Sequence, residues 1–194
     1  MYGMVFFAGV CMTATAYYGI KSLTAISYIA VPCVAVLGSA AMFMAVAQGE
    51  GTLVEQFAKS SGDLTVISGA GLVVGSFVSG GSATPNFTRF AKDGKTGFWT
   101  TVAAFFIGNS LMFCFGAVSS IFVGGEANDI FDVMLKLGLF WTAVLVLGLN
   151  IWTTNDNALY STGLGLANIT GFSKKHMVLF SGTLGTVLAV WLYN

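Results

Sequence analysis

Asn150, Thr153, Thr154 and Asn157 follow one another at i, i+3, i+4 and i+7, which puts all four on one face of a helix. Ser161 extends the stripe. The Asn150 carbonyl and the hydroxyls of Thr153 and Thr154 place three oxygens within one turn. Hard cations prefer oxygen ligands, so a sodium ion could accept this set if a second element closed the shell. The plainer reading is hydrogen bonding between helices, or back onto the same helix. A second cluster comprises Gly69, Gly71, Gly75, Ser76, Phe77, Ser79, Gly80, Gly81 and Ser82, followed by Pro85. Each glycine weakens a helix by about 1 kcal/mol relative to alanine. That density predicts a helix broken at about 75–82, the device by which transporters expose backbone groups to substrate. Close helix packing through Gly71-x-x-x-Gly75 is the alternative. Phe77 between Ser76 and Ser79 offers a flat face flanked by hydroxyls, which suits a planar polar ligand.

Asp156 is the one acid well inside an apolar run. Such a residue is a functional candidate by default, but it lies off the Asn150–Asn157 stripe and reads first as structural. His176, the sole histidine, adjoins Lys174 and Lys175 at a helix start and reads as solvated. One histidine there builds no Ser/His/Asp set, and no GxSxG, HExxH or P-loop occurs, so an enzyme is not expected. Cys11, Cys33 and Cys114 stand alone in apolar runs and read as packing residues. No cofactor is implied.

The elements that must hold these residues are membrane spans. Of 194 residues, 56% are hydrophobic and 8% charged, with a mean hydropathy of +0.83; soluble domains carry about a quarter charged residues. The net charge is zero, and no basic face suggests nucleic acid. Six spans are predicted, at roughly 2–20, 23–48, 64–84, 97–123, 131–165 and 176–193. The fifth is too long for one straight helix and is expected to bend or end near Gly163, Gly165 and Asn168. Residues 52–60 suit a short amphipathic surface helix. The runs lack the period of barrel strands, so the class is all-α integral membrane. Loop charge alternates: Lys21 is basic, 50–63 acidic, 89–95 basic, 126–132 acidic, 174–175 basic. By the positive-inside bias the basic loops are cytoplasmic and both chain ends face outside. Trp99, Tyr17, Tyr18, Trp191 and Tyr193 fall near span ends, where aromatic belts sit. The first and last spans share six identities at one fixed offset, including Gly9 with Gly182 and Thr13 with Thr186. With opposite directions of travel, that is the pattern of an inverted repeat.

The stretches Val74–Ser79, Phe106–Phe113 and above all Leu147–Tyr160 (Leu-Gly-Leu-Asn-Ile-Trp-Thr-Thr-Asn-Asp-Asn-Ala-Leu-Tyr) closely resemble the nucleobase–cation symporter-1 family. The resemblance covers essentially the whole chain. It implies a six-helix segment, helices 4–9, of a LeuT-like transporter with a five-plus-five inverted repeat. It implies cytosine or a related nucleobase as cargo and sodium as coupling ion, in the bacterial inner membrane. Under it, Phe77 would stack on the base, with Gly75, Ser76 and Ser79 along its polar edge and Asn150 contacting it from helix 8. Asn150, Thr153 and Thr154 would supply half of a sodium site; Asn155 and Asp156 are secondary candidates. Helices 1–3 and 10–12 have no counterpart in these residues, and with them go the other sodium carbonyls and a second stacking aromatic. The chain is therefore expected to be part of a larger transporter and not to transport alone. Other cargo (uracil, allantoin or a hydantoin), proton coupling, or a non-transporting fragment or assembly subunit are the competing readings.

Overall fold

The computed structural model describes residues 2–59, 65–123 and 129–192. The span-end tyrosine Tyr193 and the loop acids Asp63 and Glu126 lie outside them. Helices are the only regular structure among the described residues. In order they are α1 (Tyr2–Tyr18), α2 (Ile20–Gln48), α3 (Leu53–Lys59), α4 (Val66–Thr88), α5 (Gly94–Ala103), a π-helical turn (Ala104–Gly108), α6 (Asn109–Val123), α7 (Ile130–Lys136), α8 (Phe140–Thr170) and α9 (Lys174–Leu192). They group into two units: Met1–Cys33 with Gly148–Asn194, and Val34–Leu147.

Four described helical stretches are long and apolar enough to cross a membrane: Ile20–Gln48, Val66–Thr88, Gly94–Val123 and Lys174–Leu192. The other two expected spans are helical but differ in kind. α1 has 17 residues, and α8 carries the Asn150–Asn157 polar stripe.

Two expectations are corrected. The helix break at about 75–82 does not occur; α4 is continuous from Val66 to Thr88. Its hydroxyls are satisfied locally, Ser76 donating to the Val73 carbonyl at 2.8 Å, Ser82 to Ser79 at 2.9 Å and Thr84 to Gly80 at 2.8 Å. These bonds leave the helical i→i−4 ladder in place. The glycines of α4 all keep negative φ; their cost is a propensity, which helix continuity overrides. Pro85 lies inside α4, in its last turn.

The fifth span divides at a different glycine. Its break is at Gly138, with φ +75°, between α7 and α8. α8 then runs unbroken through Gly163, Gly165 and Asn168 and stops at Gly171, also at φ +75°. Left-handed backbone favours glycine because it lacks a Cβ, so conformation, not glycine content, marks the true ends. At 31 residues, α8 is about 46 Å long and outreaches a hydrocarbon core of about 30 Å.

The first unit is organised by α1 against α9. Gly9 and Gly182 let the helices approach closely: a Cβ on Gly9 would collide with Thr186, and one on Gly182 with Thr13. Gly163 of α8 likewise opens space for Val178 of α9. Small residues at helix contacts are how membrane helices gain van der Waals packing where lipid offers no hydrophobic drive. In the second unit Ala41, Met134, Ala143 and Val146 form a buried cluster with Val34, Leu37, Ile130 and Phe131 packed on it. Gly38 makes room there for the Phe115 ring.

The short helix expected over 52–60 forms as α3, fixed by a capping box. The Thr52 N–H donates to Glu55 Oε2 at 2.9 Å, and the Glu55 N–H to Thr52 Oγ1 at 3.3 Å.

Candidate functional site

The candidate residues fall in both units, and each group has its own geometry. In the second unit Gly75, Ser76, Phe77 and Ser79 share α4. Gly75, Ser76 and Ser79 are exposed and Phe77 is half-buried. Phe77 belongs to an aromatic cluster. Its ring meets Phe105 edge-on, with centroids 6.2 Å apart and an interplanar angle of 75°. It meets Phe113 at 6.2 Å and 60°. Edge-to-face geometry satisfies the ring quadrupoles and leaves the faces of Phe77 oriented by its neighbours. Phe105 sits in the π-helical turn Ala104–Gly108. Such turns add a residue to the helical repeat, re-aim side chains, and concentrate at functional sites. Sequence reading missed Phe105 and gave Phe113 no role, because a π turn has no periodic signature. The run Phe105–Phe106 before Gly108 was the available hint.

In the first unit α8 carries the oxygen set. The Thr153 hydroxyl donates to the Leu149 carbonyl at 2.9 Å, with a second contact to the Asn150 carbonyl at 3.2 Å. Asn157 Nδ2 donates to the Thr153 carbonyl at 2.6 Å. Asn150 and Thr154 are exposed. The plain reading of the stripe, threonine bonding back to its own helix, therefore describes Thr153. It also has a consequence for cations. A hydroxyl whose proton is committed to a carbonyl turns its lone pairs away from that carbonyl, which is the orientation an oxygen ligand needs. Among the described residues no group of three or more His, Cys, Asp or Glu is placed to hold a metal, so only neutral oxygens are in play here.

Asn155 and Asp156 diverge. Asn155 is exposed, with Nδ2 3.6 Å from Met12 Sδ of α1. It lines an apolar cavity of about 460 Å³ with Ala8, Ile151, Thr162 and Gly185. Asp156 is 1% exposed, and neither carboxylate oxygen has a hydrogen-bond partner among the described residues. The Thr15 hydroxyl, its neighbour on α1, gives its proton to the Met12 carbonyl at 2.8 Å. Trp152 Nε1, one turn earlier on α8, and Ser161 Oγ are likewise buried and unpartnered. Trp152, Asp156, Tyr160 and Gly163 recur at helical spacing as a second face of α8, distinct from the oxygen stripe.

Residues 2–194 match the profile of a family described as a permease for cytosine/purines, uracil, thiamine and allantoin. The chain belongs to that permease family. It is similar to the cytosine permease of Escherichia coli K12, with 47% identity over 187 residues. The cytosine permeases of E. coli O6:H1 and O157:H7 match to the same extent. The match takes in 96% of this chain and 44% of the relative, so the chain spans less than half the length of the curated relatives it matches. The family expected from the Leu147–Tyr160 stretch is therefore the right one. It is a family of permeases, not of enzymes, and its apolar helices make this permease chain a multi-pass membrane protein.

Proposed function

We propose that this chain forms part of a secondary transporter that imports cytosine with sodium by alternating access. The observation that carries the reading is the 47% identity to cytosine permeases across nearly the whole chain. Phe77 provides the stacking face for the base. Ser76 and Ser79, with the backbone at Gly75, run along its polar edge, and Asn150 contacts it by its side chain. The Asn150 carbonyl with the Thr153 and Thr154 hydroxyls forms part of a sodium shell, and the shorter Thr153 bond, to the Leu149 carbonyl, supports that role. Sodium binding stabilises one of the two states and so couples its gradient to uptake.

The architecture we propose is LeuT-like, in the bacterial inner membrane, with both ends of this chain extracytoplasmic. The α1–α9 contact supports it. Gly9 packs on Thr186 and Thr13 on Gly182, and these pairs exchange places under the fixed offset that relates the two helices in sequence. The contact is reciprocal and antiparallel, as a two-fold axis in the membrane plane would make it. Further sodium ligands and a second stacking aromatic would come from segments corresponding to helices 1–3. This chain alone is therefore expected not to transport.

Uptake of radiolabelled cytosine tests the reading, using cells that express the longest reading frame carrying this sequence, with sodium or with choline in its place. Saturable uptake that needs sodium is expected. No cytosine uptake from well-expressed protein overturns the cargo, and competition by uracil, allantoin and hydantoin then identifies it. A second reading, proton coupling, is favoured by one observation, the buried Asp156 whose carboxylate has no hydrogen-bond partner among the described residues. Uptake indifferent to sodium but driven by a pH gradient would select it.

A further inference from the structure

A groove of about 670 Å³ runs along the α1–α9 pair of the first unit, within the range of about 300–1,000 Å³ typical of small-molecule sites. Its walls include Val10, Ala14 and Tyr17 of α1 and Gly182, Thr186 and Val187 of α9. They are largely apolar, and Val10 and Val187 are 49% and 59% exposed. One end of the groove is basic. Lys175 Nζ lies 5.1 Å from the centroid of Tyr17, itself a groove wall. Lys174 Nζ reaches Gly19 at the turn from α1 to α2 and lies 4.8 Å over the Tyr160 ring. Lys21 follows two residues after Gly19 and is exposed. Lys174 thus meets the turn that joins α1 to α2, Lys175 lies at the Tyr17 end of the groove, and Lys21 stands in the first turn of α2 that follows. Within residues 1–33 and 148–194 the sequence holds a single acid, Asp156, and it is buried. Lys21 and Lys175 have no acidic surface residue of their own unit to answer them.

We infer that this groove binds an anionic phospholipid, its acyl chain along α1 and α9 and its phosphate at Lys175 and Lys21. Three features converge on that occupant. An apolar groove in a membrane helix pair takes hydrocarbon. Tyr17 and Tyr18 mark the interfacial depth at which a headgroup sits. Basic pockets between spanning helices bind anionic headgroups, each lysine near the surface contributing about fivefold in partitioning. Under the proposed orientation this is the inner leaflet. The inference is independent of the transporter's cargo.

The test is a competition between phosphatidylglycerol and phosphatidylcholine of identical acyl chains. The two are offered in equal amounts to the detergent-purified full chain, and retained lipid is read by mass spectrometry. Phosphatidylglycerol is expected in roughly twenty-fivefold excess, falling as salt rises. The double variant Lys21→Gln/Lys175→Gln should bring the ratio close to unity, and Lys21→Arg/Lys175→Arg should keep it. Ala14→Trp, which fills the groove, should reduce retention of both lipids. Equal retention by the unaltered protein overturns the inference whatever the variants do, as does a preference that survives the glutamine pair. A groove covered by another helix of a longer chain would retain neither lipid. A disulfide-linked dimer through Val10→Cys, in a background without the native cysteines, would seat a second copy there. Either outcome also overturns it.

Discussion

At the scale of single residues, Phe77 and the α8 oxygens carry the testable chemistry. Stacking of a base on an aromatic side chain is worth about 1–3 kcal/mol. Phe77→Ala is therefore expected to weaken cytosine binding by about fivefold to a hundredfold at normal expression, as read by equilibrium binding to membranes. Unchanged binding would remove Phe77 from the site. Phe105→Ala is expected to give a smaller loss, because Phe105 touches Phe77 and orients it. Thr154→Ala removes one oxygen from the proposed sodium shell. It should raise the sodium concentration needed for half-maximal uptake while leaving cytosine binding at saturating sodium near normal. Thr154→Ser should restore the unaltered value. Equal sodium dependence in the alanine variant would exclude Thr154 from the shell.

At the scale of elements, the α1–α9 contact makes a reciprocal prediction. Gly9→Ala places a methyl inside van der Waals contact of Thr186 and should destabilise the protein by about 1–3 kcal/mol. Gly9→Ala combined with Thr186→Ala should recover much of that loss, since both atoms of the clash beyond Cβ are removed. Thermal denaturation of the single and double variants reads the coupling, and simple additivity would mean the helices do not meet there. A second element-level effect concerns the start of α5. The Thr96 N–H donates to Asp93 Oδ1 at 2.7 Å, and this bond holds the exposed Asp93 carboxyl below its ordinary pKa. A carboxyl depressed in the folded state contributes stability above its unfolded pKa, and the contribution is lost as pH falls through the folded value. The protection factors of the amides in the first turn of α5, taken against the intrinsic exchange rate at each pH, should therefore fall in acid, and Asp93→Ala should show low protection at neutral pH without that dependence.

At the scale of the whole molecule, orientation follows from loop charge. A cysteine replacing Lys92, in a background without Cys11, Cys33 and Cys114, should resist membrane-impermeant maleimide applied to intact cells and react after permeabilisation. Labelling in intact cells would reverse the proposed orientation. The alternating loop charges carry this prediction, and it is independent of any helix boundary.

The membrane class, the six helical stretches and the family were legible in the sequence, because each rests on composition or on a contiguous run. Hydrocarbon forces backbone hydrogen bonds into helices, so apolar runs between charges translate almost directly into α1, α2, α4, α5–α6, α8 and α9. The same reading overestimated glycine. The expected break in α4 and the expected bend or end near Gly163, Gly165 and Asn168 are not where the chain turns; it turns at Gly138 and at Gly171, just past the end of α8, where φ is positive. Glycine permits a break without requiring one, and what Gly163 accommodates is Val178 from another helix. Tertiary structure alone decided the contacts between residues far apart in sequence: Phe77 against Phe105 and Phe113, Gly9 against Thr186, Lys175 over Tyr17. It also separated the two faces of α8, one exposing Asn150 and Thr154 and one burying Asp156. Helical spacing distinguishes such faces, and only packing determines which of them is enclosed.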